Sequence, residues 1–312
     1  MMWHGKIAVA NKGEDSISFL NPHRRREEYR IYLEPGVGPC ALAKMKSSPI
    51  LLVVQAHDNS LACIDLDCGV VEKILPVGRC PSFITVCNKT HTIYVTNADS
   101  DSISVVHNGD DLKVMSQVPV GSMPQGIDCH HYLPLLAIAH MDSQDIWFVE
   151  TEGYTMVKRI AVGGYPIAVK FSSKGNTLYV GCYFHNHRLL NKVLLVDLCK
   201  HVVYREIAVG CMPHRLLETS DGRYLLVASC EAGNLEVVDL VSGSVVHRVK
   251  VGEAVGDMAL DEGGVCAYVT APYEGRVCVV DWKAGKKLAD IQVGKKPSGI
   301  VYLEPVITRR EE

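Results

Sequence analysis

The chain has 312 residues, of which 47% are hydrophobic, and it carries a formal net charge of −3 with a pI near 6.5. This balance argues against a broad nucleic-acid-binding face, which requires a basic surface. No apolar stretch approaches the ~18 residues of a membrane span, and the first residues lack the basic and apolar regions of an export signal. The 12 cysteines lack framework spacing, which is typical of reduced thiols, so we expect a cytoplasmic protein.

The first predicted strands cover residues 7–10, 16–20 and 29–33, and none of them has an obvious inner partner nearby. A complete unit follows at residues 81–119, with predicted strands over 82–87, 92–97, 102–107 and 112–119, separated by Asn- and Asp-rich turns. The last predicted strand is 298–303. It supplies the inner strand that the first three lack.

A phrase of Gly, any two residues and Pro marks the start of each unit. It begins at Gly36, Gly78, Gly121, Gly163, Gly210, Gly252 and Gly294, with Val255 replacing Pro in one copy. The spacing is 42 or 43 residues, except for one interval of 47 between Gly163 and Gly210. A period in the forties with strand-like contents is typical of a β-propeller. Seven copies therefore predict seven blades.

We predict an all-β protein, a single seven-bladed β-propeller domain over residues 1–312. Each blade is expected to be a four-stranded antiparallel sheet, with the last blade built from about 5–34 plus 297–304. Pairing the N-terminal strands with the C-terminal inner strand closes the ring and leaves no sheet edge unpaired at the junction. We also expect a monomer.

The candidate site is the channel mouth, the face where second-to-third-strand turns and outer-to-inner links emerge. Strand positions repeat nearly the same residue type seven times, whereas the turn positions vary and include possible acids and bases. The ligand-binding candidates are His57, Asn97, Asp99, Asp142, His214, Arg215, Glu231, Asp257 and Tyr273. The alternative explanation is that turns simply favour Asp, Asn and Glu.

The interval of 47 contains five extra residues between Cys182 and Leu194, and loops that depart from a repeat often carry function. Together with the preceding blade, this insertion supplies possible zinc or copper ligands: His140, Cys182, His185 and His187. A divalent metal is therefore one hypothesis, and ordinary surface histidines in a polar loop are the other.

Charges also replace small residues on the inner strands. Arg215 and Asp257 occupy neighbouring blades at one height, and Asp128 and Lys170 do so two residues further along. Two ion pairs lining the channel are expected, since an unpaired buried charge is costly. Arg215 and His214 could instead hold an anionic ligand.

Residues 94–97 (Tyr, Val, Thr, Asn), followed by 102–106 (Ser, Ile, Ser, Val, Val), resemble the repeat that names the YVTN family of seven-bladed propellers. That resemblance implies the fold and leaves the activity open, because the family includes exported binding proteins and DNA-associated proteins. Residues 213–215 and 220–224 are similar to one blade of lactonases that act on sugar lactones. The fold also resembles the haem-binding propellers of nitrite reductase.

Three functions follow as hypotheses. The first is a binding or scaffold protein that takes a protein or small-molecule ligand at the channel mouth, with no nucleic acid and no membrane as partner. The second is a hydrolase, lactonase-like or metal-assisted, acting at the same mouth. Electron transfer or cofactor binding is the third. Neither a phosphate-binding glycine loop nor a Gly-X-Ser-X-Gly motif is present in the sequence.

Overall fold

The computed structural model describes residues 5–45, 48–87, 89–107, 112–184 and 191–304, and these form seven four-stranded antiparallel sheets arranged in a ring. The first strands are β1 (Lys6–Asn11), β2 (Ser16–Asn21) and β3 (Arg26–Tyr32). Blade 1 is β4 (Pro39–Lys44), β5 (Ile50–Gln55), β6 (Ser60–Asp65) and β7 (Val70–Pro76). Blade 2 is β8 (Pro81–Val86), β9 (Ile93–Asn97), β10 (Ser102–His107) and β11 (Lys113–Pro119), with a short 3₁₀ helix at Ala98–Ser100.

The remaining blades follow the same order. Blade 3 is β12 (Pro124–Cys129), β13 (Leu135–His140), β14 (Asp145–Glu150) and β15 (Met156–Ala161). Blade 4 is β16 (Tyr165–Phe171), β17 (Thr177–Tyr183), β18 (Lys192–Asp197) and β19 (Val202–Ala208). Blade 5 is β20 (Pro213–Glu218), β21 (Tyr224–Ser229), β22 (Asn234–Asp239) and β23 (Ser244–Lys250). Blade 6 is β24 (Met258–Leu260), β25 (Cys266–Ala271), β26 (Arg276–Asp281) and β27 (Lys286–Gln292), and β28 (Pro297–Leu303) joins β1–β3 as blade 7.

The middle strands of each blade are buried on both faces because neighbouring blades cover them. In blade 1, five of the six residues of β5 are buried, whereas the outer strand β7 is largely exposed. A strand covered on both sides needs apolar residues at every position, which explains the continuous apolar runs. The core is thus divided into apolar clusters that lie between adjacent blades.

Blade 7 closes the ring as the sequence predicts. β1 pairs antiparallel with β28, and Val9 lies opposite Ile300. Ile300 is 4% exposed and packs in one cluster with Tyr268 and Val277 of blade 6. The two ends of the described chain are therefore joined both by backbone hydrogen bonds and by an apolar interface.

Strand limits agree with the sequence to within one residue across residues 81–119. The largest shift is in β3, which begins at Arg26, three residues before the expected start. A bulge at Phe19/Leu20 lets Glu27 and Arg26 pair with Leu20 and Asn21, which extends the strand towards the preceding turn.

The phrase that begins at Gly252 has Val255 in place of proline, and the local hydrogen bonding differs there. The backbone N–H of Val255 donates to the carbonyl of Cys230 over 3.2 Å, a bond that proline cannot make. The inner strand β24 begins only at Met258 and has three residues. Blade 6 therefore has the shortest inner strand.

We expect Ile300→Ala to lower the free energy of unfolding by about 2–5 kcal/mol, since it removes buried methyl groups from the closing interface. Ile74→Ala is the matched control because Ile74 is 47% exposed on β7, and its effect should stay within about 0.5 kcal/mol. Urea denaturation followed by circular dichroism measures both. Equal effects would show that closure contributes little.

Candidate functional site at the channel mouth

Turns and links at the channel mouth are tied together by side chains that cross between blades. Asp15, in the turn of blade 7, accepts hydrogen bonds from the backbone N–H groups of Gly36 and Gly38 at 2.7 and 2.8 Å. Asn59 accepts from Cys80 in the same way, at 2.9 Å. Asp15 and Asn59 have φ values of 49° and 53°, which short polar residues tolerate better than most.

A second polar position lies inside the blade stack rather than at the channel mouth. Asn97 is fully buried and donates through Nδ2 to the hydroxyls of Ser102 and Ser104 at 3.1 and 3.0 Å. Asn11 makes the equivalent bonds in blade 7, to Ser16 and Ser18. The matching offsets of Asn and Ser in the two blades are the sequence signal for this interior role. Asn97 thus holds its turn closed.

His140 takes the same place in blade 3. Its Nδ1 lies 2.9 Å from Asp145 Oδ1, and its ring packs edge-on against Trp147 with centroids 5.0 Å apart. Arg159 lies 2.5 Å from the other oxygen of Asp145. Burial would raise the pKa of Asp145, but the hydrogen bond with His140 and the charges of His140 and Arg159 outweigh burial and lower that pKa. His140 therefore lies in a buried hydrogen-bonded pair with Asp145, which Arg159 joins from the surface.

The metal candidates are not brought together within the described ranges. Cys182 is fully buried in an apolar cluster, and burial raises the pKa of its thiol to about 12. His185 and His187 lie outside the described residues. Within the ranges that the structure describes, no three His, Cys, Asp or Glu side chains are grouped to hold a metal ion.

Five candidates do lie on the surface of the mouth-side turns. They are His57, Asp99, Asp142, Glu231 and Tyr273, all exposed, with Tyr273 at 72%. Glu231 accepts a hydrogen bond from the Cys211 thiol at 2.9 Å. The turns place one such side chain on each of five blades, spaced around the channel.

Arg215 crosses the channel between blades. Its Nε lies 3.1 Å from Asp257 Oδ1 on blade 6, and its guanidinium stacks on the ring of Phe83 at 3.7 Å from the centroid. Phe83 belongs to blade 2, on the other side of the ring, and all three residues line a channel cavity of about 400 Å³. The ion pair was expected from the sequence, but the stacking was not, because nothing in the spacing shows which side chains meet across the axis.

The second expected ion pair also forms. Lys170 Nζ lies 3.0 Å from Asp128 Oδ2, and the same carboxylate accepts from the backbone N–H of Phe171 at 2.9 Å. Asp128 is thus satisfied by two groups of the neighbouring blade. This pair is part of the interface between blades 3 and 4.

His214 lies beside Arg215 on β20 and is partly buried. Burial, together with the charge of Arg215, lowers the pKa of His214 to about 3. The ring is therefore neutral at pH 7. An imidazole with so low a pKa is a weak general base.

The fold and the channel mouth define the class: the chain is a seven-bladed β-propeller. No family model and no curated protein sequence matches it. It is similar to a functionally unknown protein from Desulfotomaculum acetoxidans, with TM-score 0.79 and 15% identity, over 96% of this chain and 99% of that chain. Hydrazine synthase from Kuenenia stuttgartiensis gives TM-score 0.77 and 20% identity, over 88% and 94%. Dihydro-heme d1 dehydrogenase NirN in complex with DHE gives 0.65 and 14%, over 95% and 74%. Such identities show the fold alone.

Replacing Asp145 by Asn should make stability less dependent on pH. Because its folded-state pKa is lowered, Asp145 stabilises the protein fully above the ordinary aspartate pKa of about 3.9, and this contribution is lost as pH falls through the lowered value. The difference in free energy of unfolding between wild type and Asp145→Asn should therefore shrink from pH 7 towards pH 2. Urea denaturation across this range measures it, with exposed Asp142→Asn as the control. A difference that is independent of pH would contradict the assignment.

Arg215 and Phe83 should be energetically coupled. In a double-mutant cycle of Arg215→Met and Phe83→Leu, we expect a coupling of about 0.5–2 kcal/mol in the free energy of unfolding. The control cycle pairs Arg215→Met with Tyr273→Leu, a residue on the rim with no contact to the guanidinium in the described structure. Additive effects in the first cycle would mean that the stacking contributes nothing.

Proposed function

We propose that this chain is a cytoplasmic, YVTN-type binding or scaffold propeller that takes a protein or small-molecule ligand at the channel mouth. One observation carries the proposal. The exposed turn position differs from blade to blade, and at His57, Asp99, Asp142 and Tyr273 no side-chain hydrogen bond or ion pair is recorded among the described residues.

The contrast with the neighbouring turn position supports this proposal. Asp15 and Asn59 bond to the next link, so their identity is explained by the fold. His57 and Asp142 are not required by the blade stack, and side chains without a structural role on a rigid scaffold are suited to recognition. The variation around the ring would then specify the ligand.

Binding is favoured over hydrolysis by the state of the basic groups near the channel mouth. His140 is engaged with Asp145 in the interior. His214 has its pKa lowered to about 3, so it would accept a proton poorly at pH 7. Neither histidine therefore supplies an effective base at the channel mouth.

Screening of a metabolite and peptide library by thermal shift tests this proposal. We expect ligands that raise the melting temperature of the wild type to lose that effect in the variant His57→Ala/Asp142→Ala/Tyr273→Ala, because these substitutions remove the recognition surface. The melting temperature of the unliganded protein should change little, since the replaced side chains are exposed.

A matched control carries Tyr132→Ala and Asp67→Ala, which replace exposed residues in turns on the face opposite the channel mouth. It should keep every ligand response. Ligands whose effects persist in the mouth variant but disappear in the control would place the site elsewhere.

The proposal also includes a location in the cell. Among the described residues, no helix has the length and apolar character needed to cross a bilayer. The cytoplasmic assignment rests on the sequence alone, and fractionation of cells expressing the untagged protein would test it.

A further inference from the structure

One cavity lies on the face opposite the channel mouth, where the inner strands end. We call it the basal hollow, and it has a volume of about 720 Å³. It is formed by the ends of β20, β24 and β28, so three blades contribute to it. This volume lies in the range of small-molecule sites.

The floor of the basal hollow is apolar. Leu217, Met258 and Val301 line both the hollow and the channel cavity, so these side chains lie where the two spaces adjoin. Leu260 and Ile300 extend the same surface. A ligand lying here would therefore contact aliphatic side chains.

The rim of the basal hollow is acidic. Glu218 comes from blade 5, Asp261 and Glu262 from blade 6, and Glu304 from the end of blade 7, whereas no Lys, Arg or His lines the hollow among the described residues. Across that same part of the chain, none of the four forms an ion pair.

Three of these carboxylates also have structural bonds. Asp261 accepts from the backbone N–H groups of Val265 and Cys266 at 2.7 and 3.2 Å. Glu218 accepts from the Tyr179 hydroxyl at 2.9 Å, and Glu262 accepts from the Tyr302 hydroxyl at 3.3 Å. These bonds come from neutral donors, so they leave the carboxylates charged. Arg25 lies beside Asp261 and Glu262 in an adjoining cavity but does not line the hollow. Lys44, which interacts electrostatically with Glu304, donates to the carbonyl of Met45 and lies outside the lining.

We propose that the basal hollow binds an aliphatic polyamine. Carboxylates spread over three blades match several ammonium groups, and the apolar floor between them matches the methylene chains that separate those groups. A compact cation fits less well, because it would leave the apolar floor uncovered. This site is separate from the channel mouth.

Isothermal titration with spermidine and with hexaamminecobalt(III) tests the proposal. Both probes carry three positive charges, but only spermidine has methylenes. We expect the wild type to bind spermidine at least about tenfold more tightly than hexaamminecobalt(III), because only spermidine covers the floor. Equal affinities would reduce the hollow to a general negative patch and overturn the proposal.

Glu262→Gln/Glu304→Gln should weaken spermidine binding by about tenfold, since it removes two of the four rim charges. The control Glu152→Gln/Asp67→Asn makes the same change in net charge at exposed positions outside the hollow. It should leave the affinity within about twofold. An equal loss in both variants would mean that spermidine responds to net charge and would overturn the site.

Failure of the polyamine proposal can be told apart from failure of the proposed function at the channel mouth. His57→Ala/Asp142→Ala/Tyr273→Ala should bind spermidine as the wild type does, because those residues lie on the other face. A Lys- and Leu-containing peptide is the competing occupant. If it binds at least tenfold more tightly than spermidine and loses affinity with Glu262→Gln/Glu304→Gln, the hollow is a peptide site and the polyamine assignment is wrong.

Discussion

Pairing of the first and last described strands is the constraint on which this structure depends. Each blade buries its apolar faces only because another blade stands on either side, so a gap at any point would expose the middle strands of two sheets. β1 and β28 remove that gap, and Ile300 carries the apolar interface across the junction. The loops on both faces are held in register by this closed stack.

The buried position at the end of the second strand holds different polar side chains in different blades. Asn97 bonds two serines, His140 bonds Asp145, and in blade 5 Ser229 donates to the fully buried Glu236 at 2.7 Å. Each arrangement pairs at least one buried polar atom near the end of the second strand, where a wholly unpaired group would be costly. Variation at this level therefore reflects alternative interior networks, whereas variation at His57 or Asp142 occurs in solvent.

The fold could be predicted from the sequence because it is encoded seven times, by the Gly-to-Pro phrase and by the apolar runs. The candidate site could be predicted only in part. Spacing placed Asn97, His140 and Asp99 near the same turns but could not show that the first two point into the blade stack. Phe83 follows Pro81 by two residues, as Arg215 follows Pro213, so spacing places both at one height, but their contact depends on the width of the channel. The basal hollow depends on strand ends whose sequences do not repeat.

The guanidinium of Arg215 reaches from one side of the axis to the aromatic ring on the other, beside its carboxylate partner. The guanidinium therefore connects blades 2, 5 and 6 across the channel. The two faces of the propeller also present different chemistry, with exposed turn side chains at the channel mouth and carboxylates at the rim of the basal hollow. A movement of blade 2 relative to blade 5 would therefore separate Phe83 from Arg215.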